Sequence, residues 1–317
     1  MNQRWIPHLL GLLTPLSALV GLWLGGLWMG LTAFLLLGIY PLLDVLSGQS
    51  SSTEPLQEGK AHDLLVHLHA LLVPVVVIAL LGRVSLDGFT SMTILGVIST
   101  GLSCGASGIV SAHELGHRRL RSPSWWLARL SLLSVLYLHF TTEHNHTHHR
   151  HWARDKDPTS SPWGRNMFTH FVITVPRQIA GAYRARPVDT RRSFLIEAIF
   201  LGALAWSSVD FLFAFLGQAF VAIFLLEFVN YLQHHGLRRG QDERGQAHHA
   251  WESRHRWSRW TLLELPLHPS HHLKSSTPYQ RLDVHDDAPQ LPYGYYVMFW
   301  LALVPPFFSR KLKSQIQ

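Results

Sequence analysis

Residues 89–118 read FTSMTILGVISTGLSCGASGIVSAHELGHR. A helix needs about 20 mostly apolar residues to cross roughly 30 Å of hydrocarbon. Residues 89–112 supply them without a single Asp, Glu, Lys or Arg. The apolar run then gives way at once to His113-Glu114-Leu115-Gly116-His117-Arg118. Spacing i, i+4 puts His113 and His117 on one helix face. The stretch therefore predicts a transmembrane helix whose polar end carries paired imidazoles.

Working outward, five further apolar runs lie at about 5–25, 27–47, 63–82, 193–209 and 211–233. The first has only Arg4 before it and no clear small-x-small cleavage site after it, so it reads as a retained helix, not a signal peptide. Basic residues gather at the N-terminus, in 118–192, in 238–281 and at the C-terminal end, while the alternate loops are nearly free of them. The positive-inside rule then puts both termini and the histidine motifs in the cytoplasm, with six spans in three hairpins in a bacterial inner membrane. Trp5, Trp23, Trp28 and Trp206 fall near span ends, where interfacial anchors belong.

Composition agrees. The 317 residues are 47% apolar and only 15% charged, against roughly 25% charged in an ordinary soluble domain. That excludes a disordered chain, which needs low hydrophobicity and high charge. The net charge of +7, from 27 basic and 20 acidic side chains, follows loop sidedness and does not form the single stripe of a nucleic-acid binder. One cysteine, Cys104, excludes a disulfide framework, a cysteine zinc site and a built-in iron–sulfur centre.

The expected fold is thus all-α and integral to the membrane, with about six spans and a histidine-rich cytoplasmic cap. Its organisation is 1–112 for the N-terminal spans, 113–192 for the histidine region, 193–236 for a transmembrane hairpin and 237–317 for the cap. Ser124–Phe140 is apolar but carries Arg129 in its middle, which is costly at bilayer depth. It reads as an interfacial helix, as does the proline-interrupted stretch Tyr293–Phe308. Ser47–Glu58 reads as a polar linker.

Histidine occurs 22 times, and neutral imidazole is the commonest metal ligand. Four clusters emerge where predicted helices reach the same side: His113/His117; His144, His148 and His149 in EHNHTHH (143–149); His234 in NYLQHHGL (230–237); and His268, His271 and His272 in HPSHH (268–272). Within the second, His144 and His148 are expected to share a face. His8, His62, His67, His69, His139, His170, His255 and His285 read as interfacial polar residues. H-E-x-x-H alone is also the zinc-protease signature, but a catalytic zinc takes three protein ligands and the clusters offer about nine. Nine imidazoles suit two octahedral metals, and imidazole suits iron. A nearly carboxylate-free set differs from the Glu-x-x-His pairs of soluble diiron bundles.

In order and spacing, the four motifs resemble those of the integral-membrane alkane monooxygenases, within the membrane desaturase and hydroxylase group. That family shows H-E-L-x-H-[KR], E-H-x-x-G-H-H, N-Y-x-E-H-Y-G-L and L-x-x-H-S-x-H-H with a Tyr-Gln pair downstream, here Tyr279-Gln280. The match runs from about residue 60 to 282. The resemblance implies two non-haem irons held by His113, His117, His144, His148, His149, His234, His268, His271 and His272. It implies oxygen insertion from O2 into a terminal C–H bond of a bilayer-borne hydrocarbon, with electrons from a rubredoxin-like or ferredoxin-like donor and its reductase. Asp157, in the matching Asp-Pro pair, is expected to orient an imidazole. Glu227 and Asn230, on the face of His234, and the neighbouring His146 and His235 are expected just outside the ligands. Gln233, His235, Thr147 and Pro269 depart from the pattern. A relative acting on aromatic methyl groups, as xylene monooxygenases do, and a membrane desaturase are the neighbouring readings. The arginines Arg150, Arg154, Arg177, Arg184, Arg186, Arg191 and Arg192 suit either anionic headgroups or an acidic redox carrier.

Overall fold

A computed structural model describes residues 5–50 and 59–316. Among them the chain is helical, with no strand beyond two isolated bridges, Gln49 with His255 and Glu252 with Gln290. The helices are α1 (Ile6–Leu24), α2 (Gly26–Leu46), α3 (Lys60–Asp87), α4 (Ser91–Gly116), α5 (Pro123–Leu133), α6 (residues 140–151), α7 (Met167–Ala185), α8 (Pro187–Ser207) and α9 (Val209–His234). Four shorter ones follow: α10 (Arg256–Thr261), α11 (His268–Leu273), α12 (Tyr295–Ala302) and α13 (Pro305–Lys313).

Among the described residues, α1, α2, α3, α4 and α9 are long and apolar enough to cross a membrane. The fold is that of an integral membrane protein. The sixth expected span, 193–209, is the far part of α8. That helix begins earlier, through Asp189, Arg191 and Arg192, and so falls short as an apolar segment. Its Leu195, Ile196 and Ile199 are nevertheless exposed, while Glu197 turns inward to accept the Leu138 N–H at 2.7 Å.

Ser124–Phe140 does not cross. α5 stops at Leu133, and Leu136 takes a left-handed φ of 55° that turns the chain toward α6. Arg129 is satisfied there by the Leu138 carbonyl and the Ser193 hydroxyl. Tyr293–Phe308 differs from the interfacial expectation. It forms α12 and the start of α13, and Tyr295, Tyr296, Met298, Ala302 and Phe308 are buried in the main core. The linker's residues 51–58 lie outside the described residues. Six of the eight histidines expected at the interface are buried instead: His8, His62, His69, His139, His170 and His255. His8 pairs with Glu264 at 2.9 Å and His69 with Ser107 at 2.6 Å, so polar partners inside the bundle keep these two there.

The centre of the bundle is α4. Its apolar stretch is 83% buried, against 28% to 44% for the other four. Small residues allow this, as they do generally where membrane helices pack by close backbone approach. A methyl added at Gly101 would lie 2.5 Å from the Gln218 carbonyl of α9, and one at Gly108 would lie 2.6 Å from Val73 of α3. Gly101→Ala is expected to lower stability by about 1–3 kcal/mol through overpacking, read as a drop in thermal midpoint in detergent. Gly82→Ala, where nothing lies within 4 Å, is the control and should leave the midpoint unchanged or slightly raised.

Candidate metal centre

The polar ends of α4 and α9 bring His113, His117 and His234 beside α6 and α11. Nine imidazoles meet there in two groups. His113, His117, His144, His149 and His271 form one; His148, His234, His268 and His272 form the other. Within each group, one candidate ligand atom per residue lies within 4.8 Å of all the others. In the second group the Nε2 atoms stand 3.1 Å apart for His148–His272 and His234–His272, 3.0 Å for His268–His234 and 2.8 Å for His272–His268. In the first group His149 lies 3.0 Å from His144 and 3.1 Å from His271.

These contacts cannot all be hydrogen bonds. A neutral imidazole carries one N–H, and His272 Nε2 faces three other Nε2 atoms. A shared cation resolves the conflict: with metal–nitrogen bonds of about 2.1 Å, neighbouring octahedral positions lie roughly 3.0 Å apart. Six of the rings are also held toward the neutral form. Burial first, then the neighbouring imidazoles, holds His144, His149, His268, His271 and His272 well below their ordinary range, and lowers His117 to about 4. The residues therefore fit two metal ions.

The partition of α6 departs from the sequence expectation. His144 shares its group with His149, not with His148. The cause is a π turn over His144–His148. In an ordinary α-helix, residues five apart point roughly 140° apart. The wider turn brings His149 back beside His144 and leaves His148 for the other group. α11 makes the same three-pronged fan without it: His268 and His272 share one group and His271 enters the other.

Asp157 stands beside the ring of His148. Its carboxylate accepts from His148 Nδ1 at 3.1 Å, leaving Nε2 free to face the group. The hydroxyls of Thr159 and Ser160 donate to Asp157 at 2.9 and 2.6 Å. Burial opposes its charge, but His148 and these hydroxyls offset that, and the carboxyl is held well below its usual range. Glu227 touches none of the nine directly; it accepts from Asn230, Tyr137 and Gln178 at 3.1, 3.0 and 2.7 Å. His235 points into an aromatic pocket of Trp163, Tyr231 and Phe308. His146 is half-buried on the outer side of α6. Glu114, the base that a zinc-protease reading needs, pairs instead with Arg118 at 3.4 Å.

A third cluster, Glu243, His248 and His249, also has metal-like spacing. However, the Gln246 N–H donates to His249 Nδ1 at 3.1 Å. Its Nε2 must then carry the proton and donate it to Glu243, 3.3 Å away, which leaves no lone pair for a cation.

Two features had no separate signal in the sequence. The first is a narrow apolar crevice with walls that include Leu36, Ala106, Leu225, Phe228, Tyr296 and Phe299. It shares Gly105, Val110, Val229 and Leu265 with a second crevice that reaches His113, His144, His268 and Asn230. The second is Trp152, stacked on His272 with centroids 4.4 Å apart and planes at 17°. It lies beneath a basic cleft formed by Arg150, Arg154, Arg239 and Arg244.

Residues 89–302 match the model of the fatty acid desaturase family. The chain belongs to that family. It is 32% identical to alkane 1-monooxygenase 1 of Pseudomonas aeruginosa, over 88% of this chain and 81% of the relative. It is 29% identical to alkane 1-monooxygenase 1 of Alcanivorax borkumensis, over 99% and 85%. The xylene/toluene monooxygenase hydroxylase component of Pseudomonas putida is 26% identical over 91% and 82%. The chain is accordingly an oxygen-dependent oxidoreductase of the monooxygenase type, as its motifs imply.

Asp157→Asn is expected to weaken metal retention about 10–100-fold, measured as metal per chain after dialysis against a graded chelator. Because the Asp157 carboxyl is held low, its stabilisation is present above about pH 4 and is lost as pH falls further. The variant and the parent should therefore converge in stability toward acid.

Proposed function

We propose that the protein is a two-iron membrane hydroxylase that converts the terminal C–H of an alkane or alkyl chain to an alcohol. The observation that carries this reading is the joining of two parts: nine convergent imidazoles in two groups, and an apolar crevice that ends on three of them. The balance is RH + O2 + 2 e⁻ + 2 H⁺ → ROH + H2O. When bound, the metals supply the oxygen activation and C–H cleavage that no side chain can perform.

The rest falls to the chain's own residues. Asp157 fixes the tautomer and direction of His148. The crevice admits a hydrocarbon from between α2, α9 and α12 and holds it end-on, so selectivity comes from depth and not from polar contacts. Its walls exclude water around the reacting end. Electrons come from a separate carrier. The basic cleft over Trp152 is the proposed entry, since arginines line it and Trp152 stacks directly on His272. The carrier in this reading is a small acidic protein of the rubredoxin or ferredoxin kind, with this face and both termini proposed to lie in the cytoplasm. The similarity to the xylene/toluene enzyme component keeps aromatic methyl groups in the substrate panel.

Turnover under labelled O2 with alkanes, alkylaromatics and acyl compounds should give alcohol carrying one labelled oxygen, with two irons per chain. Unlabelled product, alkene alone, or one zinc and no iron would overturn the reading. Val229→Phe, at the junction of the two crevices, should shorten the longest accepted chain while keeping activity on short ones, read from product distributions. Trp152→Ala should slow reduction by the protein donor at least tenfold but spare reduction by a small chemical reductant. Donor binding should weaken as salt rises.

A further inference from the structure

A second basic cleft lies on the other side of the histidine groups, between the end of α4, α5 and the start of α8. Its volume is about 600 Å³. Arginines from all three elements line it: Arg118, Arg121, Arg129, Arg186 and Arg192, with Asp189 as the one carboxylate. Two of them are already engaged. Arg118 pairs with Asp63 at 3.0 Å and Glu114 at 3.4 Å. Arg129 donates to Leu138 and Ser193. Arg186 has only a loose contact with Asp189, at 4.0 Å between exposed side chains. Arg121 and Arg192 are exposed. Three cations thus face the cleft against one acid.

The rim distinguishes this cleft from the one over Trp152. Leu120, Trp126 and Ile196 line its edge, and each is exposed. Trp126 belongs to α5, which is too short to cross a bilayer, and Ile196 continues into the exposed apolar face of α8. A soluble acidic protein would leave that apolar rim in water. An anionic amphiphile satisfies both halves, with a phosphate among the arginines and acyl chains along Leu120, Trp126 and Ile196. Basic pockets between membrane helices bind lipid headgroups by this division.

We infer that this cleft is a binding site for one anionic phospholipid. The lipid's phosphate bridges the turn before α5 and the start of α8 through Arg121, Arg186 and Arg192. Its headgroup covers the inner wall of the cleft, where His117, Asn145 and His146 stand, and so closes the five-histidine group from water on that side. Neither the site nor its test requires the metals to be present.

The test uses the full chain, purified and reconstituted in nanodiscs of phosphatidylglycerol or phosphatidylcholine. Native mass spectrometry counts retained lipid, and thermal unfolding reads stability. The variant is Arg121→Gln/Arg186→Gln/Arg192→Gln, which leaves the engaged Arg118 and Arg129 in place. The parent should retain one more phosphatidylglycerol than the variant, and its thermal midpoint should rise in phosphatidylglycerol but not in phosphatidylcholine. Affinity in the variant should fall on the order of a hundredfold. A single-charge-conserving set, Arg→Lys at the same positions, should restore most of the retention, which separates charge from folding. Equal retention by parent and variant would overturn the inference. So would an equal rise with inorganic phosphate alone, which would make the cleft a free-anion site. Loss of binding by an acidic redox protein in the variant, with lipid retention unchanged, would likewise overturn it.

Discussion

Nine imidazoles converging on two shared points are poorly satisfied by one another. Burial strips each ring of water, and the crowding of Nε2 atoms leaves too few protons to join them by hydrogen bonds. The rest of the architecture serves that constraint. α4 and α9 deliver His113, His117 and His234 at the polar end of the membrane bundle, and α6 and α11 close over them. The glycines of α4 let α3 and α9 approach closely enough to hold these helix ends in register.

Much of this was legible in the sequence. Long apolar runs identify α1 to α4 and α9 because hydrocarbon thickness fixes helix length. The metal-like histidines stand out because i, i+3 and i+4 spacing is a surface neighbourhood on a helix. The grouping was not legible at α6, since a π turn changes which spacing shares a face and leaves no mark on side-chain pattern. Buried His8 and His69 escape a local reading because their polar partners, Glu264 and Ser107, lie far along the chain. The apolar crevice was hidden for another reason. Phe228 or Leu225 on a spanning helix looks the same whether it faces lipid, core or a cavity. In α8, one continuous helix runs from a charged start into an apolar end, so composition alone placed its boundary six residues late.

The arginines of the polar face divide by what surrounds them. Arg150 and Arg154 join Arg239 and Arg244 above Trp152, where the surroundings are polar. Arg186 and Arg192 join Arg121 beside exposed Trp126 and Ile196. Arg191 does neither; it donates to the Tyr183 hydroxyl at 2.7 Å and lies over that ring. Net charge describes the whole face, but the apolar rim decides whether a cleft suits a protein or a lipid.

The fans of α6 and α11 are mirror assignments. α6 gives two histidines to the first group and one to the second; α11 gives one to the first and two to the second. The two groups therefore share the helices that carry them. A cation held in one group would hold both helices, and thereby set in place rings that serve the other. The ordering entropy of the second site is largely settled when the first fills. If the protein holds the two ions proposed for it, loading should then be cooperative, with few chains caught holding one.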